Sequence, residues 1–101
     1  MLGTHAEERR VACSIREAHE ACTLALARVG RVVEDDPPHR LRGRIPRWKI
    51  QVIRVRISLQ EQASSSTQVL IEALADDLWG AGARYGVRVV LREMEDLPWV
   101  P

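Results

Sequence analysis

The sequence predicts an α+β domain: an N-terminal helix, a three- to four-stranded antiparallel sheet and a C-terminal helix, with both helices packed on one sheet face. Three observations carry that prediction. Apolar residues recur at helical spacing from Val11 to Val29, they alternate with charged residues from Arg40 to Leu59, and helical spacing returns from Val87 to Leu97. With 101 residues and 46% apolar content, residues 1–101 fit one domain, with 98–101 as a short apolar tail.

The N-terminal helix is expected from Thr4 to Gly30. Thr4 and Glu7 have the spacing of a capping box, and Gly30 stands where a left-handed residue would end the helix. Between them Val11, Ile15, Ala18, Cys22, Ala25 and Val29 form a stripe of mostly small side chains, which needs a tertiary partner. The chain's own sheet is the expected partner; pairing with a second helix is the alternative, on a heptad-like run shorter than coiled coils require. On such a helix Cys13 and Cys22 would sit nine residues apart. That is about 13 Å along the axis, beyond disulfide reach.

Val32 and Val33 lead into the turn Asp35-Asp36-Pro37-Pro38-His39, and alternation resumes at Arg40. A hairpin across Pro37-Pro38 is predicted, with Glu34 to Asp36 facing Arg40 or Arg42. In the following strand, Arg47 to Gln60, the apolar phase changes. Trp48, Ile50 and Val52 have one parity, and Ile53, Val55, Ile57 and Leu59 the other. A β-bulge near Val52-Ile53 would restore one buried face; otherwise the strand is apolar on both sides. Thr67 to Leu74 reads as a returning fourth strand. Asp76 or Asp77 is expected to cap the C-terminal helix. Residues 84–92 also alternate like a strand, but Leu91 to Leu97 holds good helix formers and Pro98 supplies a stop. The tail, with Trp99, is expected to fold back rather than serve as a docking peptide, because a free indole exposes a large apolar area.

Charge is distributed unevenly. Residues 40–56 carry seven basic side chains and no acid, while the chain as a whole has a formal charge of +1. Arg40, Arg42 and Arg44 project from one face of a strand, and Arg54 and Arg56 from one face of the next, so the five are a candidate surface for an anionic partner. Phosphate backbones suit such a field, but sheets that read RNA usually add aromatic platforms, and only Trp48 lies in this stretch. A solvated face partly paired with Glu34, Asp35, Glu61 and Glu72 is the simpler expectation.

Catalytic and metal motifs are weak. His19 and Cys22 share a helical face but make at most half a zinc site, since structural sites use three or four His or Cys ligands. Cys13 with Glu17, and Ser64 to Ser66 with His39, lack a surrounding motif. Gly80, Gly82 and Gly86 match neither a P-loop nor a dinucleotide fingerprint, and a close helix–sheet approach explains them. No catalytic residue, cofactor or metal is therefore expected. No apolar stretch of signal-peptide or spanning length appears, and two unpaired thiols suit a reducing compartment, so a cytoplasmic protein is expected.

These observations predict a non-catalytic binding or assembly domain acting through protein contacts, with a homodimer as the expected assembly. Its candidate interface is Trp48, Ile50, Val52 and Trp99. The alternative is nucleic-acid binding through the arginine face from Arg40 to Arg56.

Overall fold

The computed structural model describes residues 3–77 and 79–101. Its elements are β1 (Gly3–Val11), α1 (Ile15–Val29), β2 (Arg31–Asp36), β3 (Arg40–Arg47), β4 (Gln51–Ala63), β5 (Ser66–Ala75) and α2 (Ala81–Glu93). The α+β class is as the sequence predicts, with five strands in place of three or four. They form one antiparallel sheet in the order β1-β5-β4-β3-β2.

The extra strand comes from the expected N-terminal helix. Residues 3–11 pair with β5 along their whole length, from Gly3 opposite Ala75 to Val11 opposite Thr67. Thr4 and Glu7 are therefore no capping box. The helix cap lies ten residues on, where Ser14 Oγ accepts the Glu17 backbone N–H at 3.2 Å and donates to its carboxylate at 3.0 Å. Both sites have the form of a hydroxyl followed by Glu at the third position, and the available β5 edge decides between them. Val11, the first residue of the predicted stripe, is fully buried at the end of β1, and α1 supplies Ala18, Cys22, Ala25 and Leu26 to the core. Gly30 ends α1 in extended backbone, not in the left-handed form, and its N–H bonds the Leu26 carbonyl at 2.9 Å.

The predicted bulge near Val52-Ile53 is absent. β3 and β4 pair without interruption from Arg40 opposite Ser58 to Arg47 opposite Gln51. Trp48 and Ile50 belong to the turn between them, so their parity never enters the strand. From Gln51 onward one parity holds, burying Ile53, Val55, Ile57 and Leu59. Register shifts occur elsewhere, between Val32 and Glu34 in β2 and between Glu61 and Ala63 in β4.

Both helices cover the face formed by Leu41, Ile45, Ile53, Ile57, Val69 and Ile71. The sequence predicts this one-sided packing, and glycines allow it to be close. A Cβ on Gly43 would stand 2.5 Å from Leu26 Cδ2 and 2.6 Å from the Arg31 carbonyl; one on Gly86 would stand 2.7 Å from Ile53 Cγ2. Thr67, fully buried in the core, donates to the Cys13 carbonyl at 2.9 Å. The tail folds back as expected. Ala12 N–H bonds the Pro98 carbonyl and Val100 N–H the Arg10 carbonyl, each at 2.8 Å. Trp99 Nε1 donates to the Met94 carbonyl at 2.8 Å, and its ring packs partly buried against the core.

Gly43→Ala is expected to lower unfolding free energy by about 1–3 kcal/mol, because the added methyl must displace Leu26 or the β2 backbone. Urea denaturation checks this, and unchanged stability would refute the close approach of α1.

Candidate anion-binding face

The face away from the helices carries the basic residues. Because β3 and β4 keep a single register, Arg40, Arg42, Arg44, Arg54 and Arg56 all lie on it, and neighbouring strands add to each row. Asp36 of β2 stands opposite Arg40. Glu34 stands opposite Arg42, which in turn faces Arg56 and Glu72. Arg42 approaches Glu34 at 3.7 Å, and Arg56 Nε donates to Glu72 Oε1 at 3.1 Å, with Nη2 also 3.1 Å from that oxygen. These are exposed pairs that contribute little stability, but they remove most of the local charge from their rows.

The remaining row is different. Arg31 of β2, Arg44 of β3 and Arg54 of β4 stand side by side, and Leu74 of β5 and Thr4 of β1 continue the row. None of the three arginines forms an ion pair with a described carboxylate. Like charges directly opposite on a sheet repel, so this row leaves an unneutralised field spanning about 10 Å across three strands.

Arg31 was outside the basic stretch that the sequence marks out. It reaches the open face through the register shift in β2. Continuing the pairing of Glu34 with Arg42 would set residue 31 opposite Ile45, on the core face. The extra residue, Val33, instead sets Arg31 opposite Arg44 and leaves Val32 packed against the core. The sequence signal was the hairpin across Pro37-Pro38 together with the valine pair, of which only one can face inward. Over these rows lies an open trough of about 1000 Å³, with Thr4, Ala6, Val33, Arg44, Arg54 and Leu74 among its lining residues.

The exposed apolar residues gather apart from the trough. Trp48 and Ile50 in the β3–β4 turn are 76% and 92% exposed, and Trp79, in the loop before α2, is 81% exposed. Gln51 Nε2 links the base of that turn to the Asp76 carbonyl at 3.4 Å, so turn and loop lie at one end of the sheet. Val52, half-exposed, sits on the open face beside them. The Arg47 guanidinium lies 4.3 Å from the Trp48 ring centre and 5.1 Å from that of Tyr85. Trp48 has a left-handed φ of 59°, a strained conformation for a bulky side chain.

Asp77 orders the loop before α2. Its Oδ1 accepts the Gly80 N–H at 2.7 Å and its Oδ2 the Gly82 N–H. These backbone donors, Gly82 first, with Gln51 and the nearby Arg47, hold its carboxyl below the ordinary value of 3.8 against a smaller opposing effect of desolvation. The capping expectation is thus met by Asp77, although Gly80 occupies the N-cap itself.

Other candidate groups are engaged structurally. His19 Nε2 bonds Asp35 Oδ1 at 2.7 Å, tying α1 to β2. Burial, and then the neighbouring Cys13, push the Cys22 thiol up to about 12; burial followed by Glu17 raises that of Cys13, and both cysteines are free. Cys13 precedes α1, so the helical-distance argument does not describe it. Among the described residues no three His, Cys, Asp or Glu side chains gather as a metal site, and no helix is long and apolar enough to cross a membrane.

The fold is similar to several solved structures. Protein CV1439 from Chromobacterium violaceum matches with a TM-score of 0.67 at 13% identity, over 91% of this chain and 94% of that one. CalU16 from Micromonospora echinospora matches with a TM-score of 0.62 at 16% identity, over 89% and 79%. A protein from Rhodobacter sphaeroides matches with a TM-score of 0.58 at 12% identity, over 93% and 95%. Identities this low establish a shared fold and nothing of activity. No protein-family model and no curated protein matches the chain.

Because the Asp77 pKa is depressed on folding, its contribution is present above the unfolded-state value and lost as pH falls through the folded-state value. Asp77→Ala is expected to melt below the wild type at pH 7, with the gap closing on acidification below 3.8. Thermal denaturation across pH checks it, and a gap that does not change with pH would contradict the carboxylate's role.

Proposed function

We propose that the chain is a non-catalytic binding domain whose helix-free sheet face takes an anionic partner. The observation that carries this reading is the row Arg31, Arg44 and Arg54, three adjacent guanidinium groups with no carboxylate paired to any of them. A fold gains nothing from such a row, whereas an anion placed over it would relieve the repulsion and accept charge-assisted hydrogen bonds. The nucleic-acid alternative draws on the same face, but Glu34, Asp36 and Glu72 interrupt it as a track for a phosphate backbone.

The test is retention on phosphocellulose at low ionic strength. The wild type is expected to elute at distinctly higher salt than Arg44→Gln/Arg54→Gln. Arg88→Gln/Arg92→Gln on α2, which removes the same charge, is expected to elute near the wild type. Equal elution of the two double variants would sink the reading.

Self-association is a second reading, favoured by the exposed Trp48, Ile50 and Trp79 at one end and the strained backbone at Trp48. It predicts a concentration-dependent dimer by light scattering. Trp48→Asn/Ile50→Ser is expected to abolish the dimer without loss of stability, since Asn tolerates left-handed φ. A strict monomer at high concentration removes this reading.

A further inference from the structure

We propose that the Arg31–Arg44–Arg54 row is a subsite for the doubly charged phosphate of a small organic phosphomonoester whose apolar body lies toward Leu74. The inference rests on the anionic-partner reading above and names the ligand class. Three features of the face select it.

The first is the extent of the charge. The unneutralised row covers about 10 Å across three strands. Along the strands it ends at once: the next row on one side holds Glu34 and Glu72 with their arginines, and the other side holds Pro46 opposite Val52. A compact dianion can engage two or three guanidinium groups together, because their planar forks match phosphate oxygens. An extended polyanion would bring its successive phosphates onto carboxylates. A single carboxylate would leave most of the row unsatisfied.

The second feature is the absence of stacking partners. Trp48 lies in a turn, Trp79 in a loop, Tyr85 on α2 and Trp99 in the tail, so no aromatic side chain stands on the strands of the open face. Single-stranded nucleic acids draw much of their affinity from such platforms. The third feature is the polarity of the row itself. Beyond Arg54 come Leu74 and then Thr4, an apolar side chain and a hydroxyl, and on that side Ala6 and the paired Arg56 and Glu72 also line the trough of about 1000 Å³. A volume of that order holds a small organic molecule, far more than a phosphate alone.

The experiment titrates the 101-residue chain with 1-naphthyl phosphate, inorganic phosphate, 1-naphthol and a twelve-residue oligothymidylate, by calorimetry at low ionic strength. Naphthyl phosphate is expected to bind one per chain, about tenfold or more tighter than inorganic phosphate or naphthol. Its affinity should rise from pH 5 to 7.5 as the second proton leaves the phosphate near pH 6. Arg44→Gln/Arg54→Gln is expected to weaken it about tenfold or more. Leu74→Ser should weaken naphthyl phosphate while leaving inorganic phosphate unchanged. Circular dichroism confirms that these surface variants fold. Oligothymidylate binding through the same arginines without naphthyl phosphate binding overturns this proposal and leaves the anionic-partner reading standing. Naphthyl phosphate bound no tighter than inorganic phosphate overturns the apolar half. No arginine-dependent binding of any probe overturns both.

Discussion

The uninterrupted pairing of β3 with β4 is the constraint on which the rest of the molecule depends. In a strand the side chains alternate, so a one-residue slip between these two would exchange their faces. With Gly43 opposite Val55 and Arg44 opposite Arg54, the apolar residues of the pair from Leu41 to Leu59 turn toward the helices except Pro46 and Val52, and Arg40, Arg42, Arg44, Arg54 and Arg56 turn away. Continuation to β5, where Ile57 faces Ile71 and Val55 faces Ala73, carries the same division across the centre of the sheet. The helices then have one surface on which to dock, and the open face is defined by subtraction.

That docking is close because the contact residues are small. Ala18, Cys22 and Ala25 on α1, and Gly82, Ala83 and Gly86 on α2, bring the helix backbones near the sheet. Dispersion and exclusion of water are gained along the whole contact instead of at a few large side chains. The same closeness shuts the helix–sheet interface at Gly43 and Gly86, where even a methyl group would collide with Leu26 or Ile53. The opposite face is where the chain keeps an open concave surface.

Charge on that face is arranged by pairing geometry. Arg42 and Arg56 have acidic neighbours in register and Arg40 faces Asp36, so three of the five arginines that the sequence marks out are compensated in their own rows. The extra residue Val33 brings in Arg31 and makes a row without acids. The edge strands are polar, with Glu34-Asp35-Asp36 on β2 and Glu7 to Arg10 on β1, which discourages pairing with another sheet.

Much of the fold was legible where local chemistry and long-range pairing agree. The hairpin across Pro37-Pro38, the returning strand after Ser66, the helix over 84–92 and the folded-back Trp99 all follow from turn residues, alternation and the exposure of a large apolar ring. The sequence by itself determined which residues are apolar and with what period, and hence an α+β class with one buried sheet face and an arginine face. Only the tertiary structure decided that residues 3–11 are a strand. Their own pattern admits a helix, and the unpaired edge of β5 supplies the backbone partners that decide it. Likewise it decided that the irregular register lies in β2 rather than near Val52. Which residue is left over in a ladder depends on the facing strand, and a single chain segment carries no record of its partner's register.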